Sequence, residues 1–119
     1  MRKQKAAATR RAQGRFGSQL ETIILHVLAS GPRHGYGIIE WLSESSAGIF
    51  DVPEGSMYPA LKRLEHSGFI TSASRASERG RRARLYTLTR RGRADLTRQM
   101  VRFRAVAAIL LRRGTGAFK

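Results

Sequence analysis

The chain has 119 residues, 41% of them apolar and 26% charged, which fits one folded globular core and excludes two. Twenty-three Lys and Arg against eight Asp and Glu give a formal charge of +15, so the chain concentrates polyanions around itself. With no cysteine, disulfides and thiolate metal sites are excluded, and no run is apolar and long enough for an export signal or a membrane span.

The charge is unevenly spread. Residues 1–15 carry six basic and no acidic side chains, 75–93 carry eight basic against Glu78 alone, and 98–119 add six more. Between them, 16–74 hold only Arg33, Lys62 and Arg63 against six acids. The positive field therefore belongs to particular segments. The first of these, 1–17, has no apolar periodicity and reads as a flexible basic arm.

Order is expected from Ser18. "SQLE" is a capping-box pattern, with Ser18 as the cap and Glu21 reaching back to it. Leu20, Ile23, Ile24, Val27 and Leu28 then repeat at helical spacing until Ser30, Gly31 and Pro32 end the first helix. A second helix is expected from about Gly35 to Ser45, largely enclosed because Tyr36, Ile38, Ile39, Trp41 and Leu42 cover more than half its circumference. "SSAGIFDVPEG" follows as a connector in which Ile49, Phe50 and Val52 suggest a short extended segment at a sheet edge.

"PEGSMYPALKRLEHSG" reads as a third helix closed by Gly68, a left-handed cap. Met57, Ala60, Leu61 and Leu64 share one face, while Ser56, Pro59, Lys62, Arg63 and His66 lie opposite, with Tyr58 at the flank. A proline in the first turn of a helix costs little and a deeper one removes a bond, so Pro59 favours a start near Gly55 or a kink. "FITSASR" and "ARLYTLT" alternate on either side of a basic tip holding Arg79, Arg81, Arg82 and Arg84, the pattern of a β-hairpin. From about Thr89 a final helix runs to Arg113, with Leu96, Met100, Phe103, Ala107 and Leu110 spaced 4, 3, 4, 3. Such a seam, on a helix longer than a small domain can cover, calls for a partner; a second copy of the chain is expected, with folding back onto its own domain the alternative.

Helix, helix, helix, hairpin is the order of a winged helix. The expected fold class is mainly α (α+β), a winged helix-turn-helix over 18–88 with a two-stranded β wing, a long C-terminal dimerisation helix over 89–113 and a tail over 114–119. In that geometry the third helix enters the major groove of DNA and the wing reaches a neighbouring groove or the backbone. Ser56, Tyr58, Pro59, Lys62 and Arg63 are then the candidate groups facing DNA, with packing in the core the alternative for Tyr58. Arg79, Arg81, Arg82 and Arg84 suit backbone or minor-groove contacts, which position rather than specify.

The motifs "LHVLASGPRHGYGI", "GSMYPALKRLEHSGFI" and "RLYTLTRRGRADL", in that order over roughly 19–96, resemble the PadR-type transcriptional regulators, and the single last helix resembles their short subfamily. The resemblance implies a homodimeric winged-helix repressor dimerised through its C-terminal helix, with the positions of Ser56, Tyr58 and Lys62 facing the operator. The sequence departs from the family where Val52 precedes Pro53, which puts the cap of the third helix in doubt. Members of the family respond to small-molecule effectors; none is identified here, and Trp41 is either a core tryptophan or part of an effector pocket.

Catalytic signatures are absent: there is no Gly-rich phosphate loop, nucleophile elbow or zinc-protease motif, and His26, His34 and His66 share no metal spacing. His26 reads as a core residue and His34 as part of the turn into the second helix. The expected function is a sequence-specific DNA-binding regulator, a repressor, acting as a cytoplasmic, nucleoid-associated prokaryotic homodimer on a palindromic operator, without cofactor, metal or membrane. The alternative is a basic protein that binds nucleic acid non-specifically.

Overall fold

The computed structural model of the chain describes residues 19–76 and 82–112. The arm over 1–17, the cap at Ser18, the hairpin tip with Arg79 and Arg81, and the tail over 114–119 lie outside them, and nothing is described of the Arg82 side chain. Helix α1 is described over 19–28 and ends as Ala29 N–H donates to the Leu25 carbonyl and Gly31 turns to φ +141° ahead of Pro32. Strand β1 (Arg33–His34) leads directly into α2 (Gly35–Ser45). Helix α3 (Glu54–His66), strands β2 (Ile70–Ala76) and β3 (Arg82–Leu88), and α4 (Arg90–Leu111) complete the order.

The core is wholly apolar. Leu20, Ile24, Leu25, Val27 and Leu28 of α1 meet Ile38 and Leu42 of α2 and Met57, Ala60, Leu61 and Leu64 of α3, closed by Val52, Ile70, Tyr86 and Leu96. Burying each of the larger side chains contributes about 1.5–3 kcal/mol. Among the described residues no polar or charged residue is buried and no buried side-chain polar atom lacks a hydrogen bond.

The wing is a β-hairpin as expected, in antiparallel register from Ile70 opposite Leu88 to Ala76 opposite Arg82. Its two strands belong to a larger sheet. The sheet has three strands in the order β1-β3-β2, because Arg33 and His34 pair antiparallel with Tyr86 and Leu85. The extended segment expected at the sheet edge from Ile49, Phe50 and Val52 is thus supplied from elsewhere. Of those three, Val52 is buried in the core, whereas Ile49 is 81% exposed in the turn after α2.

Two helix ends use the same 6→1 and 5→2 bonding with different residues. After α3, Gly68 N–H donates to Glu65 and Phe69 N–H to Leu64, with Gly68 at φ +80°, the left-handed cap read from the sequence. After α2, Ala47 N–H donates to Glu44 and Gly48 N–H to Ser43, but the first left-handed residue is Ala47, at φ +53°. A β-carbon in that region costs about 1 kcal/mol. Ala47→Gly is therefore expected to raise stability by about 0.5–1 kcal/mol, read as an upward shift of the urea midpoint at constant slope.

Helix α4 starts at a built cap. Thr89 Oγ1 accepts from Gly92 N–H at 2.9 Å and donates to the Gly68 carbonyl at 2.8 Å, while Thr89 N–H donates to the Phe69 carbonyl at 3.1 Å. The first turns of α4 are thereby tied to the junction between α3 and β2. The helix then runs 22 residues, about 33 Å at 1.5 Å per residue.

Candidate nucleic-acid interface

The front of α3 is set by Pro53, whose extended backbone (φ −72°, ψ 156°) places its carbonyl to accept from the Ser56 and Met57 amides, both at 3.0 Å. No side chain caps this end, in keeping with the departure noted at Val52 and Pro53, and Glu54 in the first turn complements the helix dipole instead. Because the helix begins at Glu54, Pro59 is its sixth residue and lies beyond the first turn, deeper than a start near Gly55 implies. Lacking an N–H, Pro59 leaves the Gly55 carbonyl without its partner four residues on.

Met57, Ala60, Leu61 and Leu64 are buried, the face read from the spacing. Gly55, Tyr58, Lys62 and His66 are exposed and follow one another at i, i+3, i+7 and i+11, a single stripe along the outer side. Ser56 and Pro59 border it, half-buried.

Arg63 is turned away from this stripe. Its Nε donates to Glu21 Oε1 of α1 at 2.7 Å, with both side chains about one-third exposed. The pair clips α1 to α3, an interaction worth under about 1 kcal/mol at that exposure. Glu21 therefore holds Arg63, and its expected reach to the Ser18 cap lies outside the described residues.

Tyr58 resolves into a half-way position. Its ring lies over Gly35 at the start of α2, so close that a β-carbon on Gly35 would stand 2.7 Å from ring carbon Cε1 and 2.9 Å from the hydroxyl oxygen. The ring still leaves 39% of the residue exposed. Burial raises the Tyr58 pKa above its ordinary value of 10.0, reinforced by the Glu54 carboxylate and by Tyr36. The hydroxyl is consequently protonated throughout the neutral range and is available as a donor.

The wing is joined to α3 by a relay that sequence reading missed. Arg84 Nε donates to Ser72 Oγ at 2.9 Å, and Ser72 Oγ donates to Glu65 Oε2 at 2.8 Å. On the other side of β3, His34 Nδ1–H donates to the Arg84 carbonyl at 3.1 Å, and the His34 ring stacks on Tyr36 with centroids 5.4 Å apart and planes at 4°. Arg84 thus links α3 and β1 through the wing. His34, expected in a turn, is the strand residue that makes this connection.

Two further residues fall elsewhere than expected. His26 is exposed, not in the core, with its ring 6.4 Å from that of Trp41, which is half-buried against the core. In α4 the seam divides: Leu96 is buried and Met100 packs on the core, whereas Phe103 is 56% and Leu110 76% exposed, with Ala107 between them half-buried. Val101, Val106, Ile109 and Leu111 are also exposed on this distal part of the helix. Among the described residues no helix is long and apolar enough to cross a membrane and no three His, Asp or Glu gather as metal ligands.

The profile of the family described as transcriptional regulator PadR-like matches residues 24–98, most of the folded domain just described. The chain belongs to the PadR-like family. Among PadR-like relatives, the negative transcriptional regulator PadR of Bacillus subtilis is 29% identical over 87 residues, covering 73% of this chain and 48% of that protein. The transcriptional regulator Rv3488 of Mycobacterium tuberculosis is 39% identical over 74 residues, 62% of this chain and 65% of that one. The chain therefore spans about half the length of the first relative and just under two-thirds of the second. In three dimensions it is similar to a PadR family regulator from Clostridium difficile (TM-score 0.67, 29% identity, 76% of this chain and 93% of that one). It is also similar to Bacillus subtilis PadR in complex with operator DNA (TM-score 0.62, 29% identity, 69% and 46%). The winged-helix fold read from the order of elements is thus the fold of PadR-like regulators.

Proposed function

We propose that this PadR-like chain is a sequence-specific DNA-binding transcriptional repressor that acts in the cytoplasm as a homodimer on a palindromic operator. The observation that carries the reading is the outer stripe of α3, where Tyr58 and Lys62 stand exposed at helical spacing on a helix whose opposite face is locked into the core. Ser56 and Pro59 flank the stripe, and Tyr58 supplies a hydroxyl donor held in place by Gly35. Arg84, with Arg79, Arg81 and Arg82, supplies the charge that holds the duplex in register without reading it. Arg63 is held by Glu21 beside the stripe, so its part in DNA contact is secondary to that of Lys62. A homodimer places two α3 helices about 34 Å apart, one turn of DNA.

The test begins with selection of bound duplexes from random DNA. Lys62→Ala is expected to weaken binding to the selected site by about tenfold or more, and binding to random duplex far less. Removing the wing arginines weakens both and flattens the salt dependence, by about 0.9 in log-log slope for each phosphate that the variant no longer neutralises. The basic segments favour a second reading, non-specific nucleic-acid binding, and competition decides between the two. If random duplex or structured RNA competes as well as the selected site, base readout is absent.

A further inference from the structure

Seven glycines lie among those whose surroundings are described, and five have an internal reason to lack a side chain. Gly31, Gly48 and Gly68 have positive φ, the Tyr58 ring occupies the β-carbon position of Gly35, and the Phe69 carbonyl occupies that of Gly92. Gly37 and Gly55 have none: neither has a positive φ, and a β-carbon on either would meet nothing within 4 Å. Gly37 is half-buried, whereas Gly55 is exposed, and it lies on the stripe of α3 one turn before Tyr58 and two before Lys62.

Glycine within a helix is unfavourable relative to alanine, because it retains more freedom in the unfolded chain and shields less backbone. Pro59 does not explain it, since even the Pro59 ring is not within 4 Å of the added β-carbon. Local choices that disfavour the fold without an internal return are expected where something outside the fold imposes them. We infer that Gly55 lacks a side chain because bound double-stranded DNA comes into van der Waals contact with its backbone, so that this position sets how deeply α3 enters the groove. The inference rests on the DNA-binding reading above. It deepens that reading by assigning a steric role to a residue with no hydrogen-bonding side chain of its own.

This role predicts opposite signs for folding and binding. Gly55→Ala, purified as the full chain, is expected to melt a few degrees higher than the parent protein. It is also expected to bind the duplex selected by the parent about tenfold or more weakly, since a methyl group is forced into a filled space. A Gly55→Ala variant that binds with unchanged affinity overturns the inference, as does one whose melting temperature falls, which would reveal an internal steric role. Lys62→Ala, titrated in parallel, separates the two levels. If Lys62→Ala loses affinity and Gly55→Ala does not, the steric role fails while the DNA-binding reading stands. If neither loses affinity, the steric role of Gly55 and the contact assigned to Lys62 both fail, and competition by random duplex decides the DNA-binding reading.

Discussion

Gly92→Ala is expected to destabilise the domain by about 3 kcal/mol or more and to lower its melting temperature by about 12 °C or more. The added β-carbon would fall on the Phe69 carbonyl oxygen and press on Leu88 Cδ1 at 2.7 Å and on the Phe69 carbonyl carbon at 2.9 Å. A clash with the tip of a flexible side chain would relax by rotation; this one is with backbone, and that backbone is held. The Phe69 carbonyl accepts from Thr89 N–H, the preceding Gly68 carbonyl accepts from Thr89 Oγ1, and Phe69 N–H closes the end of α3. Relief would require α4 to lift away, withdrawing Leu96 from the core and breaking the Thr89 cap. Gly68→Ala gives the contrasting case, because its β-carbon meets nothing closer than Arg91 Nη1 at 3.5 Å and only the positive φ opposes it. Its cost is about 1 kcal/mol. Chemical denaturation of the two variants beside the parent protein measures the difference, and equal midpoints for both would refute the close packing of α4 on the α3–β2 junction.

Period and position explain which parts of this fold were legible in the sequence. The inward face of α3 was readable residue by residue because Met57, Ala60, Leu61 and Leu64 follow the helical repeat, and burial of such a face is what makes the helix form. Gly68 and the alternation on either side of the basic tip marked the end of α3 and the hairpin for equally local reasons. What failed depended on a neighbour in space. A two-residue strand has no period, so His34 looked like part of a turn until β3 lay beside Arg33 and His34. Arg63 follows Lys62 by one residue and has the same charge, yet the 100° between them turns Arg63 toward Glu21 of α1, forty-two residues earlier in the chain. The apolar face of α1 made His26 look internal, but its side chain falls outside the arc that α2 and α3 cover. Leu96 and Met100 likewise continue the repeat of Phe103, Ala107 and Leu110, and only the point at which the domain surface ends separates the two groups. Of the candidate DNA-contacting residues, Tyr58 was ambiguous between core and surface for a sound reason, since it rests on Gly35 with more than a third of the residue in solvent.

That division of α4 leads to the second large effect. Phe103→Asp combined with Leu110→Asp is expected to convert a dimer to a monomer without unfolding the domain. The proximal turns are fixed to the core by Leu96 and Met100, so charges placed at 103 and 110 disturb nothing the domain itself packs. They do introduce carboxylates into an apolar surface that includes Val106, Ile109 and Leu111, where burial against a second copy would carry a severe desolvation penalty. The parent chain should sediment as a dimer at about 10 µM and the double variant as a monomer, with near-parental helix content in both. Operator affinity should then fall by about a hundredfold or more, because two α3 helices no longer bind as a linked pair, while affinity for an isolated half-site stays near the parental value. Leu96→Asp supplies the opposite pattern, since Leu96 belongs to the core and its loss should unfold the domain and not merely separate the copies. A parent chain that sediments as a monomer, or a double variant that retains full affinity for the palindromic site, would remove the distal half of α4 from the DNA-binding mechanism.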